Sequence, residues 1–195
     1  MSDSHNSILV LGHSFISRLK KYSHECHSDR NLGVPKEHTT IFMRGISGAK
    51  LSTLYNELQL ASILTPTVIV LQIGSNDLTC PSVRPSDLCD EIFHFAKLIL
   101  ETGTAKVVIS EIFFRNVQVC SKRRQCRSDF NQVVTETNSL LKSQCISHHR
   151  VSFWHHRNMK QNWKSLLSRD GVHFNSQGLF RYYRSMKGLA RYHMS

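Results

Sequence analysis

The sequence predicts an α/β protein, a three-layer α/β/α sandwich around a parallel sheet of five strands. Two nearly unbroken apolar runs, Ile8–Leu11 and Thr67–Ile73, suit strands buried on both faces, as at the centre of a parallel sheet. Between the strand candidates lie segments with apolar residues at helical spacing, the pattern of strands joined by helical crossovers. Internal repeats and linkers are not evident, and 195 residues suffice for a single domain, residues 1–195, with a sizeable core.

Taken in order, strand one covers Ser7 to Leu11, and Gly12 permits a tight turn at its end. A helix from Phe15 to about Tyr22 follows, then an irregular stretch from Tyr22 to His38, rich in His, Ser, Asp and Asn. Thr39 to Met43 is β-branched and aromatic, a short strand. Arg44 to Ala49 is a glycine-punctuated turn. Lys50 to Leu64 carries Leu51, Leu54, Leu58 and Ala61 at helical spacing and stops at Pro66. After the strand Thr67–Ile73, Ser86 or Asp87 caps a helix with Leu88, Ile92, Phe95, Ala96 and Ile99 on one face, ended by Gly103. Ala105 to Phe114 is the fourth strand. A helix from about Ser128 to Gln144 turns Phe130, Val133, Val134, Thr137, Leu140 and Leu141 inward. Arg150 to Trp154 is the last strand. His155 to Arg169 is a loop with a short helix around Trp163. Asn175 or Ser176 caps a final helix ending near Tyr192.

Composition excludes some classes and leaves others open. Hydrophobic content of 40% and charged content of 20% are ordinary for a globular chain and argue against disorder. Residues Met1 to Ser7 are polar, and no apolar run approaches the roughly 20 residues that span a bilayer. The expectation is a soluble, cytoplasmic protein without a membrane span. The six cysteines form no Cys-x-x-Cys pair, so free thiols are expected. His24, Cys26 and His27 have no second ligand pair nearby, so no zinc site is expected there. Lys plus Arg outnumber Asp plus Glu by 25 to 14, a net charge of +11 that attracts polyanions without specifying one. The densest basic run is Lys122-Arg123-Arg124, with Arg115 and Arg127 close by. It is a candidate surface for nucleic acid or another polyanion, set against the plainer reading of a solvated basic loop.

The residues that carry chemistry sit where strands end. Ser14 follows strand one at the start of a helix, where a hydroxyl and a backbone N–H face the same way, a geometry suited to a nucleophile whose product is an oxyanion. Taken alone, such a serine also serves as an N-cap. Gly48 follows the second strand and Asn76 the third, and in parallel sheets the functional crevice lies at these carboxyl ends. Asp170-Gly-Val-His173 lies just before the last helix. Acyl transfer needs a nucleophile, a base, a group that orients the base, and oxyanion donors. Ser14 is the candidate nucleophile, and His173 the candidate base because imidazole titrates near neutrality. Asp170, three residues earlier, is placed to hold Nδ1–H and aim Nε2 at Ser14. The Ser14 and Gly48 N–H groups and the Asn76 amide form the candidate oxyanion hole. Singly, each residue also has a bland reading: an Asx turn at Asn76 and Asp77, a turn cap at Asp170, a surface His173, a Gly48 chosen for its backbone angles.

In this order, Gly12-His-Ser14, Ile46-Ser-Gly48, Gly74-Ser-Asn-Asp77 and Asp170-Gly-Val-His173 resemble the four blocks of the SGNH (GDSL-type) hydrolases. The whole sequence is also similar to the esterase-like domains of some animal retroelement reading frames. The resemblance implies a flavodoxin-like sheet and a metal-independent esterase, lipase, thioesterase or carbohydrate deacetylase with no cofactor. Ser14 would be its nucleophile, Gly48 and Asn76 its oxyanion donors and His173 its base. The expected substrate is a small-molecule, carbohydrate or lipid ester. One position departs from the pattern: His13 stands where the family usually has Asp, a residue that mostly supports the turn. A histidine also accepts a hydrogen bond but with different reach, and a shift of ~1 Å in Ser14 is worth roughly 10²-fold in rate. The alternative is a module that keeps the fold, has lost the reaction, and binds a polyanion through Lys122, Arg123, Arg124 and Arg127. A dinucleotide or flavin site is disfavoured because the Gly-x-Gly-x-x-Gly fingerprint is missing.

Overall fold

The computed structural model describes residues 6–27, 31–37, 39–120 and 126–193. Strand β1 (Asn6–Gly12) leads into α1 (Ser14–His27), and β2 (Thr39–Gly45) into the short α2 (Leu51–Leu54) and then α3 (Leu58–Leu64). Strand β3 (Val68–Gln72) is followed by α4 (Pro85–Glu101), and β4 (Lys106–Ser110) by α5 (Val117–Cys120) and α6 (Phe130–Ile146). Strand β5 (Val151–Trp154) precedes α7 (Ser176–Tyr192). The five strands are all parallel in the order β2-β1-β3-β4-β5, the predicted flavodoxin-like sheet. Chain direction across the sheet reverses between β1 and β3, so their carboxyl ends open a crevice there.

Strand side chains alternate between two apolar layers. Leu9, Leu11, Ile69, Leu71, Val107 and Ile109 pack with α4 and α6 on one face. Ile8, Val10, Val68, Val70 and Val108 pack with α1 and α7 on the other. All five residues of β3 are buried, which explains why four of them are apolar and only Gln72, at its end, is polar.

Several boundaries differ from the sequence reading. The first helix continues to His27 through a stretch expected to be irregular. Phe15, Ile16, Leu19 and Ser23 form one buried stripe, while Lys21 and Glu25 pair across an exposed turn at 3.7 Å. The predicted helix over Lys50–Leu64 is split by a 3-10 turn at Tyr55–Glu57, and Glu57 forms a bidentate pair with Arg44 at 3.0 Å. Neither Ser86 nor Asp87 caps α4. Arg84 is the cap, and Pro85 takes the first helical position, where its missing N–H costs nothing. The fourth strand ends at Ser110 rather than Phe114. Beyond it, two asparagines of α6 stand in for a strand partner. Asn138 bonds both the N–H and the C=O of Ile112, and Asn131 does the same for Arg115, all at 2.9 Å. Asn175 rather than Ser176 caps α7, accepting the Gly178 N–H at 3.0 Å. Gly12 has no left-handed backbone. A Cβ there would lie 2.3 Å from the Gln72 carbonyl oxygen, so it is the close approach of β3 that requires glycine.

The expectation of free thiols throughout fails for one pair: Cys120 and Cys126 form a disulfide. Cys120 ends α5, and the chain returns with its Cα atoms 5.8 Å apart, within disulfide reach. Cys26, Cys80, Cys89 and Cys145 are free. No helix among the described residues is long and apolar enough to cross a membrane.

A buried polar contact joins the sheet to α7. The Tyr182 hydroxyl donates to Gln72 Oε1 at 3.1 Å, and both side chains are fully buried. Tyr182→Phe leaves that oxygen without its donor and should lower the free energy of unfolding by about 1–3 kcal/mol, measured by urea denaturation. An unchanged midpoint would show that the bond contributes nothing.

Candidate active site

The ends of β1, β2, β3 and β4 each deliver one group to the crevice: Ser14, Gly48, Asn76 and Arg115 in turn. The last loop before α7 brings Asp170 and His173 onto them. Ser14 Oγ lies 2.9 Å from His173 Nε2, and His173 Nδ1 lies 2.7 Å from Asp170 Oδ2. An ionised carboxylate only accepts, so Nδ1 carries the ring proton and Nε2 is left to accept from the serine hydroxyl. Burial alone would raise the Asp170 pKa. Hydrogen bonds from the His173 ring, the His173 and Val172 amides and the Ser168 hydroxyl outweigh it and hold the carboxyl below its usual range. The sequence reading of these three residues therefore describes a connected relay rather than separate turn residues.

Aromatic packing fixes that relay from below. Phe15 follows the serine and Phe174 follows the histidine, and their rings meet edge to face at 4.8 Å. Phe113 stacks against both, at 5.3 Å from Phe15 and 4.8 Å from Phe174.

The three candidate oxyanion donors follow the ends of β1, β2 and β3. Ser14 begins α1, so its N–H has no partner within the helix. Gly48 has φ 74°, and open space lies where a Cβ would stand. That backbone angle favours glycine and leaves the turn bare on the side of the crevice. Asn76 donates one amide hydrogen to the Ala49 carbonyl at 2.9 Å and keeps the second outside any hydrogen bond among the described residues. Asp77 accepts the Leu51 N–H at 2.9 Å, so both residues of the Asn-Asp pair hold the Gly48 turn.

Three sequence readings change here. His13 is buried, and its Nδ1 faces the Phe15 N–H at 3.5 Å, a long contact inside the turn. Ser14 nevertheless keeps hydrogen-bonding distance to His173, so the exchange of Asp for His leaves the turn in register. Arg127 is engaged by its own loops. It pairs with Asp129 and donates to the carbonyls of Cys80, Pro81 and Val83, tying two loops together. Lys122, Arg123 and Arg124 lie outside the described residues. Arg115, grouped with them in sequence, is buried at 4% exposure. Its Nη2 donates to Ser75 Oγ and to Asn76 Oδ1, each at 2.8 Å, and its guanidinium lies over the Phe130 ring at 4.8 Å. Burial draws its pKa down to about 10, partly opposed by Asp170. Its place among lysines and arginines hid this role. The one sequence signal was its position just past a strand end.

No protein-family profile and no curated protein matches this sequence. Solved structures do match it in shape. A GDSL-like lipase from Bacteroides thetaiotaomicron superposes with a TM-score of 0.68 at 14% identity, over 97% of this chain and 87% of its own. The lipase/acylhydrolase from Enterococcus faecalis gives 0.64 at 16% identity over 94% and 96%. An acetyl xylan esterase, AlAXEase, gives 0.66 at 16% identity over 94% and 98%. The chain has the fold of the SGNH hydrolases.

Burial, with the charges of Arg115 and His173 adding to it, lowers the His13 pKa from 6.5 to about 3. The unfolded chain therefore binds a proton that the folded chain refuses between these values, and stability falls as pH drops from 6.5 towards 3. The slope from His13 is about 1.4 kcal/mol per pH unit. His156, lowered to about 3 by burial and by His155, adds to it in the same window. Denaturant titrations at pH 7, 6 and 5 should show the decline, and His13→Asn should make it shallower, leaving the part that His156 contributes. An equal slope in the variant would contradict the neutral, buried His13.

Proposed function

We propose that this chain is a serine esterase that cleaves a carboxylic ester through an acyl-enzyme on Ser14. The observation that carries the reading is the relay from Ser14 Oγ to His173 Nε2 at 2.9 Å and from His173 Nδ1 to Asp170 at 2.7 Å. Three potential donors, at Ser14, Gly48 and Asn76, follow neighbouring strand ends and support it. The fold, shared with lipases, acylhydrolases and an acetyl xylan esterase, supports the same reaction class.

In this reading Ser14 Oγ attacks the ester carbonyl carbon as its proton passes to His173 Nε2. The imidazolium so formed is stabilised by ionised Asp170. The carbonyl oxygen gains the negative charge and is met by the N–H groups of Ser14 and Gly48 and the second N–H of Asn76. Collapse expels the alcohol, which takes the proton from Nε2 and leaves an acyl group on Ser14. Water then enters, gives a proton to Nε2 and adds as hydroxide to the acyl carbon; the bond to Ser14 Oγ breaks, Oγ takes the proton back from Nε2, and the carboxylic acid is released. The substrate class is an ester of a small molecule, carbohydrate or lipid. No observation favours the polyanion-binding alternative, since Arg127, the one residue of that patch within the described residues, is spent on its own loops.

Hydrolysis of short p-nitrophenyl esters tests the reading. Ser14→Ala and His173→Ala should fall to near background with little change in thermal stability. Asn76→Ala should lower kcat by about 10²–10³-fold. Equal rates in parent, Ser14→Ala and His173→Ala would refute the acyl-enzyme on Ser14.

A further inference from the structure

We infer that Arg115 is a positioning residue that sets the orientation of the Asn76 amide and so presents its N–H, not its C=O, to the developing oxyanion. The inference rests on the proposed ester hydrolysis and names a part of the site that the four sequence blocks do not contain.

A side-chain amide has two ends of similar shape and opposite polarity. Turned by half a revolution, Asn76 would aim Oδ1 at a carbonyl oxygen acquiring negative charge, and the donor would become a repulsive acceptor. Two contacts exclude that orientation. A guanidinium only donates, so the Asn76 atom 2.8 Å from Arg115 Nη2 must be the oxygen. A backbone carbonyl only accepts, so the atom 2.9 Å from the Ala49 oxygen must be the nitrogen. Because Ala49 takes one hydrogen of that nitrogen, the other is the donor left for the crevice.

Arg115 is built to hold this end firmly. Its N–H and C=O are both bonded by Asn131 of α6 at 2.9 Å, so its main chain does not slide. The side chain rests on the Phe130 ring, and Nη2 divides its two hydrogens between Ser75 Oγ and Asn76 Oδ1. Burying a cation is costly, and hydrogen bonds to it are the usual recompense. The charge also acts through the amide. A cation on Oδ1 draws electron density from Nδ2 and makes its N–H a stronger donor, and a positive charge behind the donor favours the oxyanion itself.

The test reads Asn76 directly and then through catalysis. In NMR spectra the Asn76 side-chain amide pair, assigned by its loss in Asn76→Ala, should move in Arg115→Met towards the averaged position of solvent-exposed amides. It should return part of the way in Arg115→Lys, which restores a donor without the planar fork. In ester hydrolysis Arg115→Met should lower kcat about 10- to 100-fold with KM within a factor of two, a fraction of the loss of a whole oxyanion donor. In the Asn76→Ala background the same change should cost less than about twofold, because residues acting as a unit are not additive. An equal loss in both backgrounds, or an Asn76 amide unmoved in both Arg115 variants, would overturn the assignment. Should Arg115→Met unfold, the Arg115→Lys spectrum and its kcat in both backgrounds give the same decision. Turnover that persists in Ser14→Ala would sink the hydrolase reading by itself, while the Asn76 spectrum would still decide whether Arg115 orients the amide.

Discussion

The edge-to-face contact between Phe15 and Phe174 is what the rest of the site depends on. Each ring is the immediate sequence neighbour of a residue of the hydrogen-bonded relay, Ser14 on one side and His173 on the other. A hydrogen bond between a hydroxyl and an imidazole contributes only about 1 kcal/mol net and would not hold two loops in place. Packed rings do, because interiors resist compression and side chains there occupy single rotamers. Phe113 and Tyr182 complete the cluster, and Tyr182 reaches through it to Gln72 at the end of β3. The separation of Ser14 and His173 is thus set by apolar contact anchored in the centre of the sheet.

Much of this was legible in the sequence, for definite reasons. Parallel strands buried on both faces are apolar at nearly every position, so β1 and β3 announce themselves. Residues that follow strand ends must share an edge, so Ser14, Gly48 and Asn76 could be grouped before any coordinates were known. What stayed hidden was polar bonding between a side chain and a distant backbone. Asn131 and Asn138 look like ordinary surface positions of an amphipathic helix, yet they complete the main-chain bonding of residues 112 and 115. The extension of α1 to His27 was hidden because Ser23, His24 and Cys26 have modest helix propensity, and its buried stripe includes that serine.

Charge was the least readable property. A net charge of +11 invites a search for a basic surface, but of the arginines nearest the densest run Arg115 is buried and Arg127 is taken up by its own loops. Arg115 supports an amide at the crevice, and Arg127 binds loop carbonyls. Sequence counts formal charges and does not reveal which of them face water. The disulfide between Cys120 and Cys126 was missed for a related reason: six residues of separation is compatible with many loop shapes, and only the return of the chain to α5 brings the sulfurs together.

The scattering of the site along the chain has a consequence for how the protein is made. Ser14 and His173 are 159 residues apart, and the groups between them arrive from separate strand ends. Bringing such distant segments together costs loop-closure entropy before any contact repays it, which makes parallel sheets slow to form. The crevice therefore belongs to the finished sheet alone. A chain that has assembled β1 to β4, but has not yet laid down β5 and the loop ahead of α7, has most of its core and none of its relay.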